Sequence, residues 1–350
     1  MTHDTYRLLG GPGSPYSLKM RAILRYRRLP HVWIVPRGYI GTGGELAQAG
    51  KGIIPVVQYP DGGYRADSTP IAYDLERRHP GVRSIVPDDP AQAFVSHLIE
   101  DMADEMLVTA MFEMRWASAE DQAFCATRQL SGWLSPIPRA ELDEIVLRFT
   151  GRQTTLRAKL VQDEGVAPLR RLYADVLSVV ERMLDASPYL LGTRPSLGDF
   201  GLYAQLHQCS IDPTASAIMR RDAPRTFQWT HALDDASGVD GEWGAPGVWS
   251  DAVHGMLSIA GRWYLPAMLA NAQAAAAGER RYATRLDGLA WAARTDPYKV
   301  KCLGWLRRDL AALPADALGA LRPLLERHGC WAALCPGASP ALDVPPMAPM

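Results

Sequence analysis

The sequence predicts a small mixed α/β layer over residues 1–84, followed by an all-helical domain over residues 91–335. Three observations carry this. Short strand-like runs alternate with helical patterns up to about residue 84; Pro87-Asp88-Asp89-Pro90 then marks a linker; beyond it, apolar residues recur at helical intervals. A chain of 350 residues has length for two domains and a substantial core.

Tyr6–Leu9 reads as the first strand, and Gly10-Gly11-Pro12-Gly13 supplies the turn after it. Pro15 then sits at the first position of a helix with Met20, Ile23 and Leu24 as its apolar stripe. Residues 31–35 form the next strand, and a Gly-rich loop follows. Ile53-Ile54-Pro55-Val56-Val57 is a β-branched run broken by proline, which predicts an edge, a bulge or a cis peptide. Asp61-Gly62-Gly63 is a hairpin turn joining Val56-Val57-Gln58 to Tyr64-Arg65-Ala66, and Ser68 is placed to cap a helix reaching Arg78. In the helical half, residues 91–116 carry Leu98, Met102, Met106, Ala110 and Phe112, and residues 169–184 carry Leu172, Val176, Val179 and Val180. Ser196-Leu197-Gly198-Asp199 predicts a capping box opening an apolar helix. Residues 241–335 read as an extra segment of two or three further helices, and the Pro-rich residues 336–350 as a disordered tail.

Composition narrows the function classes. A formal net charge of −1 offers no field for nucleic acid. Lys19, Arg21, Arg25, Arg27 and Arg28 cluster on the first helix and read as a solvated face. Glu100, Asp101, Asp104 and Glu105 likewise read as a solvated or intersubunit face rather than a metal site. Five scattered cysteines without a Cys-x-x-Cys predict neither a metal nor a disulfide framework, and residues 1–10 lack a secretion signal. The longest apolar run, 256–278, is broken by Arg262, Pro266, Asn271 and Gln273, so a buried helix is expected rather than a membrane span. The expectation is a soluble, cytoplasmic protein.

Three separated pieces of the first domain can converge on one ligand. Ser14-Pro15-Tyr16-Ser17 opens a helix where a redox Cys-x-x-Cys could sit, with hydroxyls in place of both thiols. A hydroxyl at a helix N-terminus cannot shuttle electrons, but it can donate to a thiolate that the helix dipole also favours. A cis Pro55 would let the backbone of Ile54 pair with a peptide-like ligand, Asp67 would face an ammonium, and Ser68 with its helix N-terminus would hold a carboxylate. Ser14 is the favoured sulfur contact and Ser17, within one turn, the fallback. Tyr16, Met102 and Met106 are candidates for an apolar pocket beside them. His207, alone on an apolar helix, is read as a core residue.

This constellation resembles the glutathione transferase superfamily over roughly residues 5–235: SPYS is similar to its catalytic Ser or Cys motif, Ile54-Pro55 to its cis-proline, Ala66-Asp67-Ser68 to its acidic-Ser motif, and residues 188–199 to its helical-domain capping box. The resemblance implies a thioredoxin-like N-terminal domain joined to an all-helical C-terminal domain over 91–240, extended by extra helices over 241–335. It further implies glutathione as co-substrate, no metal, a small apolar electrophile as second substrate, and a homodimer unless the extra segment covers that surface. The alternative is a non-catalytic, glutathione-binding or ligand-carrying interaction protein. Two departures bear on the choice: Ile53 stands where the family often places Lys or Gln, with Lys51 the nearest substitute, and the extra segment has no counterpart in the ordinary two-domain arrangement.

Overall fold

The computed structural model describes residues 4–36, 44–81, 83–335 and 345–348. The Gly-rich loop after the second strand and most of the tail expected to be disordered lie outside them.

The first domain is built on a four-stranded sheet in the order β2-β1-β3-β4. Strand β1 (Tyr6–Leu9) pairs parallel with β2 (His31–Ile34) and antiparallel with β3 (Val56–Gln58), which pairs antiparallel with β4 (Tyr64–Ala66). The parallel pair needs a crossover, and α1 (Pro15–Tyr26) provides it. Alternation along the strands then decides the two faces. Leu8 and Val57 pack among Met20, Ile23 and Leu24 of α1 and Ile71 and Leu75 of α3 (Ser68–Arg78). Leu9, Val56 and Ala66 point the other way, onto Leu46 of α2 (Gly44–Gln48) and Trp133.

The helical domain runs through α4 (Pro90–Met102), a π-helical turn at Ala103–Leu107, α5 (Val108–Arg115), α6 (Ala119–Leu134), α7 (Arg139–Leu160), α8 (Asp163–Met183), α9 (Leu197–Ile211), α10 (Pro213–Asp222) and α11 (Pro224–Asp234). Helix α9 is its axis. It packs on α4 and α1, and its residues 197–210 are all buried. Its start is a complete capping box: Ser196 Oγ accepts from Asp199 N, and Asp199 Oδ2 accepts from Ser196 N at 2.8 Å. Arg21 and Arg25 of α1 reach across to Asp234 at 2.6 and 2.8 Å, fastening the two domains together.

The extra segment adds α12 (Asp251–Ile259), a second π-helical turn at Ala260–Tyr264, α13 (Leu265–Ala276), β5 (Arg281–Leu286), β6 (Leu289–Arg294), α14 (Pro297–Ala311), α15 (Ala315–Arg327) and α16 (Trp331–Leu334). The antiparallel ribbon β5–β6 corrects the expectation of helices alone. Leu286 faces Leu289 across a two-residue turn in which Asp287 has φ 48° and Gly288 φ 79°, and an Asp-Gly pair fits such a turn because both central residues need positive φ. The tail expectation is also corrected in part: the Pro345 carbonyl accepts from Trp305 Nε1 at 2.8 Å, and Met347 packs on the core. Among the described residues, no helix is long and apolar enough to cross a membrane.

Candidate functional site

A cavity of about 450 Å³ opens between the two domains. Its walls include Tyr16 of α1, Ile54 and Pro55, Asp67 to Thr69 at the start of α3, Asp104 and Glu105 of the π turn, and Tyr298, Cys302 and Trp305 of α14. Such a volume lies within the usual span of small-molecule sites. The Ile54–Pro55 peptide is cis. A neighbouring crevice of about 100 Å³ shares Ile54 and exposes Ser14, opposite Gln129, Trp133, Phe149 and Gln153 of the α6–α7 pair.

Ser14 is the N-cap of α1: its hydroxyl accepts from Ser17 N at 3.2 Å. The site geometry separates the two serines. Ser14 lines the crevice, whereas Ser17 is fully buried, its Oγ accepting from Gly11 N at 3.3 Å within the turn. Tyr16 lines the larger cavity and donates to the Asp104 carbonyl at 2.8 Å, and burial raises its phenol above the usual range. Asp67, not Ser68, occupies the cap position of α3, with φ 79° and no side-chain cap bond to the helix. Its carboxylate instead accepts from the Tyr298 hydroxyl at 2.7 Å; burial raises its pKa, and Tyr298 and Lys19 work against that rise. Met106 lines a second cavity, under the β5–β6 ribbon, Met102 is fully buried in the core, and Lys51 is not among the residues lining the site.

Behind Ser68 lies a buried charge cluster that overturns two readings from the sequence. Lys19 is fully buried, as is Glu100, and Asp101 and Asp104 are nearly so; neither the basic stripe nor the acidic run is a solvated face here. Lys19 Nζ donates to Asp104 Oδ2 at 2.6 Å, to Thr69 Oγ1 at 3.3 Å, to Ser68 Oγ at 3.5 Å and to Glu100. Burial alone would lower the Lys19 pKa, but Asp104 and Glu100 more than offset it, so the ammonium is held charged. Burial pushes Asp101 up to about 6 and Glu105 up to about 8. His97, Glu100 and Asp101 bring donor atoms within 4.8 Å of one another, but Asp309, Lys19 with Thr69, and Tyr264 already engage them. The His97 that accompanies the acidic run, three residues before Glu100, was a signal available in the sequence.

Arg115 is a further residue that pattern reading misses. Its guanidinium bonds Asp212 at 2.6 Å, Gln208 at 2.5 Å and the Gly13 carbonyl at 2.8 Å, so one buried side chain from α5 holds the turn that presents Ser14. Cys302, inside the cavity wall, has its thiol pushed well up by burial and neighbouring acids, which keeps it a thiol rather than a nucleophile.

A four-stranded layer carrying a cis-proline, joined to a helical domain that closes a cavity over it, is the thioredoxin-like plus all-helical architecture. The family description "Glutathione S-transferase, N-terminal domain" matches residues 8–83, and "Glutathione S-transferase, C-terminal domain" matches residues 163–232. The chain belongs to the glutathione S-transferase superfamily. The α6–α7 pair and everything after residue 232 lie outside both matches. No curated protein matches the chain. Among solved structures it is similar to a glutathione S-transferase from Methylobacterium radiotolerans in complex with glutathione sulfonate, at 21% identity over 70% of this chain and 98% of that one, TM-score 0.41. It is also similar to the β-etherase LigF from Sphingobium sp. strain SYK-6, at 19% identity over 65% and 94%, TM-score 0.46. A glutathione S-transferase from Methylobacillus flagellatus with glutathione bound aligns at 19% identity over 65% and 93%, TM-score 0.39.

Proposed function

We propose that the protein is a glutathione transferase-like enzyme that activates the glutathione thiol for attack on a small apolar electrophile. The observation that carries this reading is the run of one cavity from Asp67 and Ser68, past Ile54 and Pro55, to the crevice where Ser14 stands at the N-terminus of α1. In it, the amino-acid end of glutathione meets Asp67 and Ser68, where the N-terminus of α3 favours a carboxylate. The peptide backbone lies against Ile54. The sulfur meets Ser14, where a hydroxyl and the positive end of the helix dipole favour thiolate over thiol and so supply a nucleophile near neutral pH.

A Ser14→Ala protein should bind glutathione but lose most of its turnover with 1-chloro-2,4-dinitrobenzene. Unchanged turnover in both Ser14→Ala and Ser17→Ala sinks the mechanism. One observation favours a second reading, a glutathione-binding or ligand-carrying protein without the chemistry: Tyr298 already occupies the Asp67 carboxylate that would meet the ligand ammonium. Calorimetric titration separates the two, since binding with turnover supports the enzyme and the absence of turnover across a panel of electrophiles supports the carrier.

A further inference from the structure

Ser14 is not the only polar side chain that meets the crevice at the start of α1. Gln153 of α7 lines it from the opposite wall, is only 8 % exposed, and makes no hydrogen bond with any described residue. We infer that the Gln153 amide is a second hydrogen-bond donor to the glutathione sulfur, a catalytic residue that shares with Ser14 the stabilisation of the thiolate. The inference rests on the proposal that glutathione places its sulfur at Ser14.

A buried amide without a partner is destabilising, and a ligand atom in the crevice removes that cost. Gln129 does not serve in the same way: its Nε2 is enclosed and opens on no free space, whereas the Gln153 amide is not enclosed. The crevice is also small. At about 100 Å³ it has room for only a few heavy atoms, since one water molecule takes about 30 Å³ in the liquid. A sulfur held at Ser14 therefore reaches the α7 wall as well. Helix α5 fixes the distance between the two walls. Its Arg115 donates to the Gly13 carbonyl at 2.8 Å on the Ser14 side, and its Glu113 accepts from Arg157 Nη2 of α7 at 3.1 Å, one turn beyond Gln153.

The chemistry of the lining selects an anion held by neutral donors. None of the residues around the crevice, from the turn before α1, from Ile54, from α6 or from α7, is ionisable, so no charge opposes a thiolate and none pairs with it. Leu130, Trp133 and Phe149 keep the surroundings apolar, which strengthens each hydrogen bond made there. Ser14 Oγ already accepts from Ser17 N, so the hydroxyl has one proton to give, and Gln153 brings two N–H groups from the other side. On ionisation the thiol proton leaves to solvent. The amide neither gains nor loses a proton; it donates to the anion that remains, and each donor to a charged form shifts the equilibrium toward that form.

The test follows the ultraviolet absorbance of bound thiolate against pH in the full-length protein. Gln153→Met keeps the length of the side chain and removes the donor, and should raise the pKa of the bound thiol by about one unit. Turnover of 1-chloro-2,4-dinitrobenzene at about pH 6 should then fall about threefold, because tenfold less thiolate is partly offset by the greater nucleophilicity of a more basic sulfur. Affinity for the glutathione analogue with a methyl in place of the thiol should not change, which also reports that the site is intact. A second variant makes the case independent of Gln153→Met. In Ser14→Ala, Gln153 still donates, so the bound thiol should stay below the value of about 8.5 for an unperturbed thiol, and Ser14→Ala with Gln153→Met should return it there. An unshifted thiol in Gln153→Met, or full return in Ser14→Ala alone, overturns the role of Gln153 and leaves the thiol reading standing. Wild-type protein that shows no binding of glutathione by calorimetry overturns that reading and this one with it.

Discussion

Replacing Lys19 by Met tests whether the buried cluster behind Ser68 is held by the Lys19 ammonium. Lys19 Nζ lies 2.6 Å from Asp104 Oδ2, and no water reaches either the ammonium or Glu100. At an effective dielectric constant near 20, that separation corresponds to about 6 kcal/mol of attraction, part of which the desolvation of the charges cancels. Met keeps the volume of the chain but leaves acidic groups buried without a counter-charge, which typically costs about 3–5 kcal/mol. For a chain of 350 residues the entropy of unfolding is about 0.7 kcal/mol per kelvin. The melting midpoint should therefore fall by about 4–7 °C at about pH 8. The deficit must also depend on pH. Burial already raises the Asp104 carboxyl above its usual 3.8, and without Lys19 it rises further. An acid raised in the folded state contributes stability that is full below its unfolded pKa and is lost as pH climbs through the folded value. The Lys19→Met deficit should thus be smallest near about pH 5 and grow toward about pH 8. Thermal melts followed by circular dichroism at both values check this. A midpoint within about 1 °C of wild type at the higher pH, or an equal loss at both, refutes the reasoning.

Two further changes probe the turn before Ser14 and the start of α9. In Gly13→Ala, the added Cβ would lie 2.3 Å from Gln129 Cγ, so the half-buried Gln129 side chain, α6 or the turn must shift, and urea unfolding should show a loss of about 1–3 kcal/mol; no loss would mean that the Gln129 side chain swings clear at little cost. Ser196→Ala removes the buried hydroxyl of the α9 capping box and should cost about 1–2 kcal/mol, read as a lower urea midpoint at unchanged slope, and an unaltered midpoint counts against the cap.

Much of the fold is legible where its signals are local. Pro15 at a helix start, the Asp61-Gly62-Gly63 turn and Ser196 with Asp199 each constrain a few neighbouring backbone groups, and periodicity supplies the rest. Ser68 was read as a cap because Ser commonly is one, yet Asp67 takes the cap position with its side chain drawn 231 residues away in sequence to Tyr298. The charge cluster was misread for a related reason. A run of acids looks solvated until its counter-ion is seen, and Lys19 is brought to Asp104 only by the packing of α1 against the π turn. The β5–β6 ribbon differs again: Asp287-Gly288 is a turn signal in the sequence, but the helical patterns on either side of it mask the two short strands it joins.

Helix α14 supplies Tyr298, Cys302 and Trp305 to the first cavity and Lys299 to the second, although the family descriptions end at residue 232. The pocket is thus finished by a helix that follows both matched domains in the chain. A fragment cut to the two matched domains would carry the serine, the cis-proline and Asp67 but lack the far wall, so its ligand preferences would not report those of the full chain.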